Sequence, residues 1–372
     1  MEKFKNYKKI LLSMIEYMEL LSKYKISINA PVVKSLHLNM KNNEFVIPVV
    51  GTMKAGKSTF INALIADDLM PNENAACTFT LTEIDNKLGK NEIIKIFDDG
   101  KTEIIKSDNI NEAFSEEIKT FRSKPSAVKF KYRIEKKLHI LDKKNSNTNL
   151  ILVDTPGPNE MEGLGVTKER IAKTLIEVLS RANFIIFIID YQYYKSDENL
   201  QILEYIKARR PELLDGNIAF VLNKVDKITH KDDDITTIKN EVSRILETWG
   251  FKDPQLYTVV AREAMLARIA GTDKNIGKYQ NEIDEYLDIE EILIDGKIKK
   301  IQAETNESLP KLLTKSNISE IEQKLFLPLF DNLEKRLFES TQKTLTLLLE
   351  TALNKIKSEQ QKFGSVLSSV NE

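Results

Sequence analysis

The sequence predicts an α/β fold: a mostly parallel central sheet flanked by helices, joined to an α-helical bundle built from both termini. Three observations predict it. From Leu150 onward, short apolar runs alternate with helical stretches, as strands and crossover helices do in a parallel sheet. The first apolar run, Phe45 to Val50, leads straight into a glycine-rich loop at Gly51. Long amphipathic patterns open and close the chain, and neither can bury its apolar stripe alone.

The elements follow in order. Residues 2–24 read as one amphipathic helix, with Leu11, Met14, Ile15, Met18 and Leu21 at spacings of three and four. The segment to Asn43 carries a basic excess, read as a solvated helix face, and Pro31 is expected to break the helical pattern. Ile93–Phe97 and Thr102–Ile105 flank Asp98-Asp99-Gly100, and Asp-Gly suits the positive φ of a tight hairpin turn. The alternating part then runs Leu150–Val153, helix 167–182, Phe184–Asp190, helix 197–209, Ile218–Leu222, helix 233–249 and Leu256–Val260. Beyond about residue 280 only helices are expected. Leu325, Leu329, Leu333 and Leu337 mark one long face, and Leu345, Leu348, Leu349, Leu353 and Ile356 another.

Composition bounds the function. A chain of 372 residues, 41% apolar and 30% charged, can build a real core and more than one domain. The 55 basic and 56 acidic residues nearly cancel, so nucleic acid is not an expected partner. One cysteine, Cys77, forms no internal disulfide, and with His37, His139 and His230 it lacks zinc-ligand spacing. No run approaches the roughly 20 apolar residues of a membrane span, and no secretory leader is expected. The expected location is cytoplasmic, with any membrane contact peripheral.

Gly51-Thr52-Met53-Lys54-Ala55-Gly56-Lys57-Ser58 is a full phosphate-binding loop, in the required place between strand and helix. Its glycines let backbone N–H groups turn inward around the β-phosphate. Lys57 bridges the β- and γ-phosphates, and Ser58 offers a hydroxyl to Mg²⁺. Asn223-Lys224-Val225-Asp226 follows the apolar run Ile218–Leu222. A carboxylate there accepts from guanine N1–H and its exocyclic amine, a donor pair that adenine lacks. Asp154-Thr155-Pro156-Gly157 also follows a strand. Asp154 suits Mg²⁺ through water, and the Gly157 N–H suits the γ-phosphate. The three motifs in this order imply a P-loop GTPase domain that takes GTP/GDP and Mg²⁺.

These residues resemble the dynamin superfamily, and bacterial dynamin-like GTPases in particular. The loop continues through Ser58-Thr59-Phe60-Ile61-Asn62, and Pro71, Cys77-Thr78 and Thr82-Glu83-Ile84 look like that family's switch I. The interval from Ser58 to Asp154 is much longer than in small Ras-like GTPases. Ser316-Asn317-Ile318-Ser319-Glu320-Ile321 resembles the family's exit into its neck. The resemblance implies residues 1–43 as an N-terminal neck segment, 44–310 as a dynamin-type GTPase domain and 311–372 as a C-terminal partial bundle. It further implies hydrolysis of GTP stimulated by dimerisation through the GTPase face, with itself or a paralogous dynamin-like chain, and an output in membrane remodelling or tethering. The alternative is a weakly hydrolysing GTP-binding scaffold paired with another dynamin-like chain.

By the same resemblance, Gly51, Met53, Lys54, Ala55, Gly56, Lys57, Ser58 and Thr59 line the phosphates, and Asn223, Lys224, Asp226 and Arg262 surround the base. Ser58, Thr78 and Asp154 serve the metal, while Lys54, Lys57, Thr78 and Gly157 serve catalysis. The departures are specific. Met53 and Lys54 stand where animal dynamins carry glutamine and serine, and Val259-Val260-Ala261-Arg262 lacks the usual serine. An ammonium at position 54 suits a catalytic cation beside the β–γ bridging oxygen, in place of a monovalent metal ion.

Overall fold

The structure is a computed structural model. It describes residues 2–23, 28–70, 81–87, 91–97, 99–123, 130–141, 146–155, 168–229, 232–270, 279, 282, 289–294, 297–302 and 305–370.

Two helices, Glu2–Lys23 (α1) and Ala30–Asn42 (α2), precede the first strand, Glu44–Gly51 (β1). Pro31 does not break a helix but opens α2. In the first turn its missing N–H costs nothing, because that donor has no partner inside the helix. Val32, Val33, Leu36 and Met40 then form the buried stripe. Next come Lys57–Ile65 (α3), Thr82–Asp85 (β2), Glu92–Phe97 (β3), Thr102–Lys106 (β4), Ile110–Ser123 (α4), Phe130–Glu135 (β5) and Asn149–Asp154 (β6). β3 and β4 form the expected antiparallel hairpin, with Ile96 opposite Thr102.

The alternating half follows as anticipated: Lys168–Arg181 (α5), Ile185–Asp190 (β7), Asp197–Arg209 (α6), Ile218–Asn223 (β8), Ile235–Thr248 (α7), Gln255–Val259 (β9) and Ala261–Ala270 (α8). Strands do not vanish after residue 280. Ile289–Ile294 (β10) and Lys297–Gln302 (β11) pair antiparallel, Ile294 opposite Lys297. Asp295-Gly296, between them in the sequence, is the hairpin signal that an all-helical reading passed over. The chain ends in the terminal helix, Leu333–Val370.

Nine strands form one sheet in the order β4-β3-β5-β2-β6-β1-β7-β8-β9. β6, β1, β7, β8 and β9 run parallel, as right-handed crossovers through α5, α6 and α7 require. β2 lies antiparallel to β6, which turns the far half into a mixed extension. All eight residues of β1 are buried, as a central strand covered on both faces demands. Its two flanks differ. One core packs α3, α8 and the bundle helices against the sheet, and a second fills the space between β7, β8, α6 and α7.

The two chain ends do share a bundle. Leu11, Ile15 and Met18 of α1 are buried with Leu337, Leu345 and Leu348 of the terminal helix. The Tyr7 ring meets Phe338 edge-on at 5.7 Å, and its hydroxyl donates to Gln342. His37 of α2 bonds Glu19 of α1 at 3.0 Å. The opposite stripe of α1 stays open: Ile10, Met14, Tyr17 and Leu20 are exposed, as are Leu353 and Ile356 of the terminal helix.

Candidate nucleotide site

Five consecutive parallel strands end on one edge of the sheet, and each delivers a named residue there. β1 ends at Gly51, β6 at Asp154, β7 at Asp190, β8 at Asn223, and β9 leads into Ala261. A crevice outside the carboxyl ends of parallel strands is where such sheets bind ligands.

The phosphate loop spans the gap between β1 and α3. Its glycines have separate reasons. A Cβ at Gly51 would lie 2.3 Å from the Ile188 carbonyl oxygen, so the close approach of β1 to β7 excludes any side chain. Gly56 has φ +96° and a Cβ there would meet the Asn223 amide at 2.2 Å. Between them the chain turns with Ala55 N–H on the Thr52 carbonyl, and Lys54 takes φ +61° although it is not glycine. Lys57 is buried. Its Nζ donates to the Thr52 carbonyl at 2.9 Å and to Gly51 at 3.3 Å, so the ammonium folds back into its own loop. Thr59 follows in the first turn of α3, and Met53 is half-buried.

Ser58 Oγ donates to Asp154 Oδ2 at 2.8 Å. A hydroxyl and a buried carboxylate in contact are hard oxygen donors, the chemistry Mg²⁺ selects, so these two residues fit the metal and would hold it. Thr155 Oγ1 donates to the Val49 carbonyl at 2.7 Å and fixes the chain just past Asp154 against β1.

The base loop is tied to the phosphate loop. Asn223 Nδ2 donates to the Ala55 carbonyl at 2.8 Å while its Oδ1 accepts from Ala261 N–H at 3.1 Å, joining three loops through one amide. Lys224, in the left-handed region at φ +65°, sends Nζ to the Lys54 carbonyl at 2.7 Å and to Asp190 at 2.6 Å. Asp226 stands exposed at the rim, one turn beyond. Burial raises the carboxyl pKa of Glu263 against the pull of Lys315, and the nearby Asp226 charge pushes it the same way. Arg262 is turned toward Tyr279 and Glu282: it pairs with Glu282 at 2.5 Å and lies over the Tyr279 ring.

Gly51, Lys54, Ala55, Gly56, Lys57, Ser58, Asp154, Asn223 and Lys224 therefore meet through direct contacts at one sheet edge. Thr78 and Gly157 lie outside the described residues. Sequence reasoning missed Asp190, the buried anchor of Lys224, whose only signal was an acidic residue ending a wholly apolar strand. It also missed Arg268. That residue donates to the Ala63 carbonyl at the end of α3 and pairs with buried Glu322 at 2.6 Å, bracing the helix behind the phosphate loop.

Residues 47–225 match the model of the Dynamin family. Among curated relatives, the chain is 26% identical over 328 residues to Dynamin-like protein 2 of Campylobacter jejuni, covering 88% of this chain and 46% of that protein. It is 24% identical over 284 residues to the clamp-binding protein CrfC of Escherichia coli, covering 61% and 37%. Dynamin-like protein A of Bacillus subtilis is 20% identical over 303 residues, covering 68% and 25%. The chain thus spans less than half the length of these relatives. A solved oligomerised bacterial dynamin pair aligns over 99% of this chain and 49% of its own, with 18% identity and a TM-score of 0.48.

Proposed function

This chain carries a dynamin-family GTPase domain, and from that premise we propose that it binds guanine nucleotide with Mg²⁺, hydrolyses GTP to GDP and phosphate, and dimerises through its GTPase face. The observation that carries this reading is the Asn223 amide, which holds the phosphate loop at Ala55 and the base-side loop at Ala261 in a single frame. A frame of that kind lets one ligand be read at its phosphates and at its base together.

Each residue has a task in this reading. The N-terminus of α3 and the loop amides face the phosphates, where backbone N–H groups and the helix dipole favour negative charge. Lys57 exchanges the Gly51 and Thr52 carbonyls for β- and γ-phosphate oxygens. Ser58 and Asp154 hold Mg²⁺, which supplies neutralisation of charge on the transferring phosphoryl group. Thr78 caps the attacking water, and the Gly157 N–H reads the γ-phosphate. Asp226 accepts from the guanine amine, with Lys224 fixing its loop against Lys54 and Asp190. The helical part then works at a membrane surface from the cytoplasmic side, in contact with it. Among the described residues no helix is long and apolar enough to cross.

A second reading, a GTP-holding scaffold for a paralogous dynamin-like chain, is favoured by Met53. A half-buried thioether stands where a side-chain amide would orient the attacking water, and sulfur is a weak acceptor without a donor.

Base selectivity tests the reading at its root. The protein should prefer GTP over ATP by at least about 100-fold in direct binding, because an unmatched polar pair is what such a pocket rejects. Asp226→Asn, which turns an acceptor into a donor toward the guanine amine, should move the preference to xanthine nucleotides. Equal affinity for ATP and GTP would overturn it.

A further inference from the structure

β7 and β8 run side by side to the nucleotide edge of the sheet, where Asp190 lies in register with Asn223. The next residues part into two loops. After β8, Lys224 opens a single 3-10 turn, Val225–Lys227, which carries the exposed Asp226. Such a turn holds itself weakly. Its bonds run from Lys227 N–H to the Lys224 carbonyl at 3.1 Å and from Ile228 N–H to the Val225 carbonyl at 3.3 Å. Yet a carboxylate that accepts two parallel N–H bonds from a guanine edge needs its place fixed to about 0.5 Å. That precision has to come from outside the turn.

It comes from Asp190, the last residue of β7, and from Tyr191, the next. Asp190 Oδ2 accepts from Lys224 Nζ at 2.6 Å, and the same ammonium donates to the Lys54 carbonyl at 2.7 Å. The start of the base loop is thus held between β7 and the phosphate loop. On either side of Asp226, Val225 and Ile228 pack against the apolar cluster in which Tyr191 is buried. The Tyr191 hydroxyl reaches Asp232: burial raises the phenol pKa, and the Asp232 charge and its hydrogen bond push the same way. Asp232 in turn accepts from the N–H and the Oγ1 of Thr229, each at 2.8 Å. The pair is itself braced. Asp190 Oδ1 accepts from Gln192 N–H at 2.9 Å, and buried Asn199 donates to the Tyr193 carbonyl at 2.9 Å. The Tyr194 ring stacks on Tyr191 at 6.4 Å, and its hydroxyl donates to Glu241 of α7.

We propose that Asp190 and Tyr191 set guanine discrimination by positioning Asp226, a role that rests on the reading of this site as a guanine-nucleotide site. Asp190 fixes the entry of the base loop through Lys224. Tyr191 seats its middle under Val225 and Ile228 and, through Asp232, holds its exit. Both are positioning residues: each acts through the loop that bears Asp226. Guanine offers that carboxylate an N1–H and an exocyclic amine, whereas hypoxanthine offers the N1–H alone. Two parallel bonds require both carboxylate oxygens in place, so a loosened loop forfeits the contact to the amine.

Competitive binding of GDP and inosine diphosphate to the full chain tests it, since the two ligands differ only by the exocyclic amine. The unmodified protein should prefer GDP by about tenfold or more, the scale of one hydrogen bond to a charged acceptor. Asp226→Ala should abolish that preference. Tyr191→Phe removes only a hydroxyl, and Asp190→Asn removes only the charge beside Lys224. Each should lower the preference by about threefold or more, a part of the same bond. Asp232→Ala, at an exposed position, deletes the Tyr191 contact from its other end and should do likewise. The comparison therefore stands even where a variant at the buried positions fails to fold. Equal weakening of both ligands in Tyr191→Phe and Asp232→Ala, with the ratio unmoved, would make the pair merely structural and overturn the proposal. So would a preference retained in Asp226→Ala, or GDP bound by the unmodified protein no better than inosine diphosphate. Each of these leaves nucleotide binding at this site standing. Failure of the unmodified protein to bind GDP at all would overturn both.

Discussion

At the scale of single residues, Lys54 is the position where this loop departs most from what its backbone prefers. A non-glycine residue in the left-handed region costs about 1 kcal/mol, and Lys54 adopts φ +61° with its carbonyl bonded by Lys224. The side chain is exposed, in the same loop into which the Lys57 ammonium folds back. An ammonium there can stabilise the negative charge that the β–γ bridging oxygen gains as the bond breaks. On that basis hydrolysis should be indifferent to replacing sodium and potassium with a bulky organic cation. Lys54→Ser should slow turnover by about tenfold, the scale of one lost electrostatic contact, and restore dependence on potassium or sodium. Strong monovalent-metal dependence in the unmodified protein would return Lys54 to the solvent. The phosphate loop was legible in the sequence because each position answers to a local demand of phosphate or metal. Asp190 was not, because an aspartate at a strand end reads as a turn former until Lys224 is seen against it. Arg262 was read as a base contact, and only the fold places Glu282 and Tyr279 within its reach.

At the scale of elements, periodicity located the long helices and buried strands and missed what lies between them. α4, β5 and α8 left no clear signal. α8 is buried along almost its whole length, so it shows no polar face for a 3.6-residue period to reveal. β5 carries Arg133 into a buried network, where a charged residue defeats the alternation expected of a half-exposed strand. The composite bundle was legible, since α1 and the terminal helix each carry a stripe that needs a partner. Leu11, Ile15 and Met18 are fully buried against it, worth about 2 kcal/mol each by area. Removing residues 1–23 should therefore lower the melting temperature by roughly 10 °C and expose Leu345 and Leu348 to aggregation. Scanning calorimetry decides it, and an unchanged melting temperature would mean that the terminal helix holds its place without α1.

At the scale of the whole molecule, the question is whether one chain completes its own active site. Five strands bring the phosphate loop, Asp154, Asp190, Asn223 and Ala261 to one sheet edge, and in the proposed reading Met53 leaves the water-orienting position with a side chain unsuited to it. If a second copy completes the site through the GTPase face, turnover per chain must obey mass action. It should rise with protein concentration and level off once dimers dominate, by about tenfold across a range bracketing the dimer dissociation constant. Liposomes should shift the half-maximal concentration downward without changing the plateau, because a surface that gathers the helical part raises the effective concentration of the GTPase faces. Turnover measured at a fixed excess of GTP over a hundredfold range of protein distinguishes the cases. A flat and substantial rate would mean that a single chain suffices. A negligible rate at every concentration, rescued only by adding a paralogous dynamin-like chain, would give the scaffold reading its place, with Met53 as its physical reason.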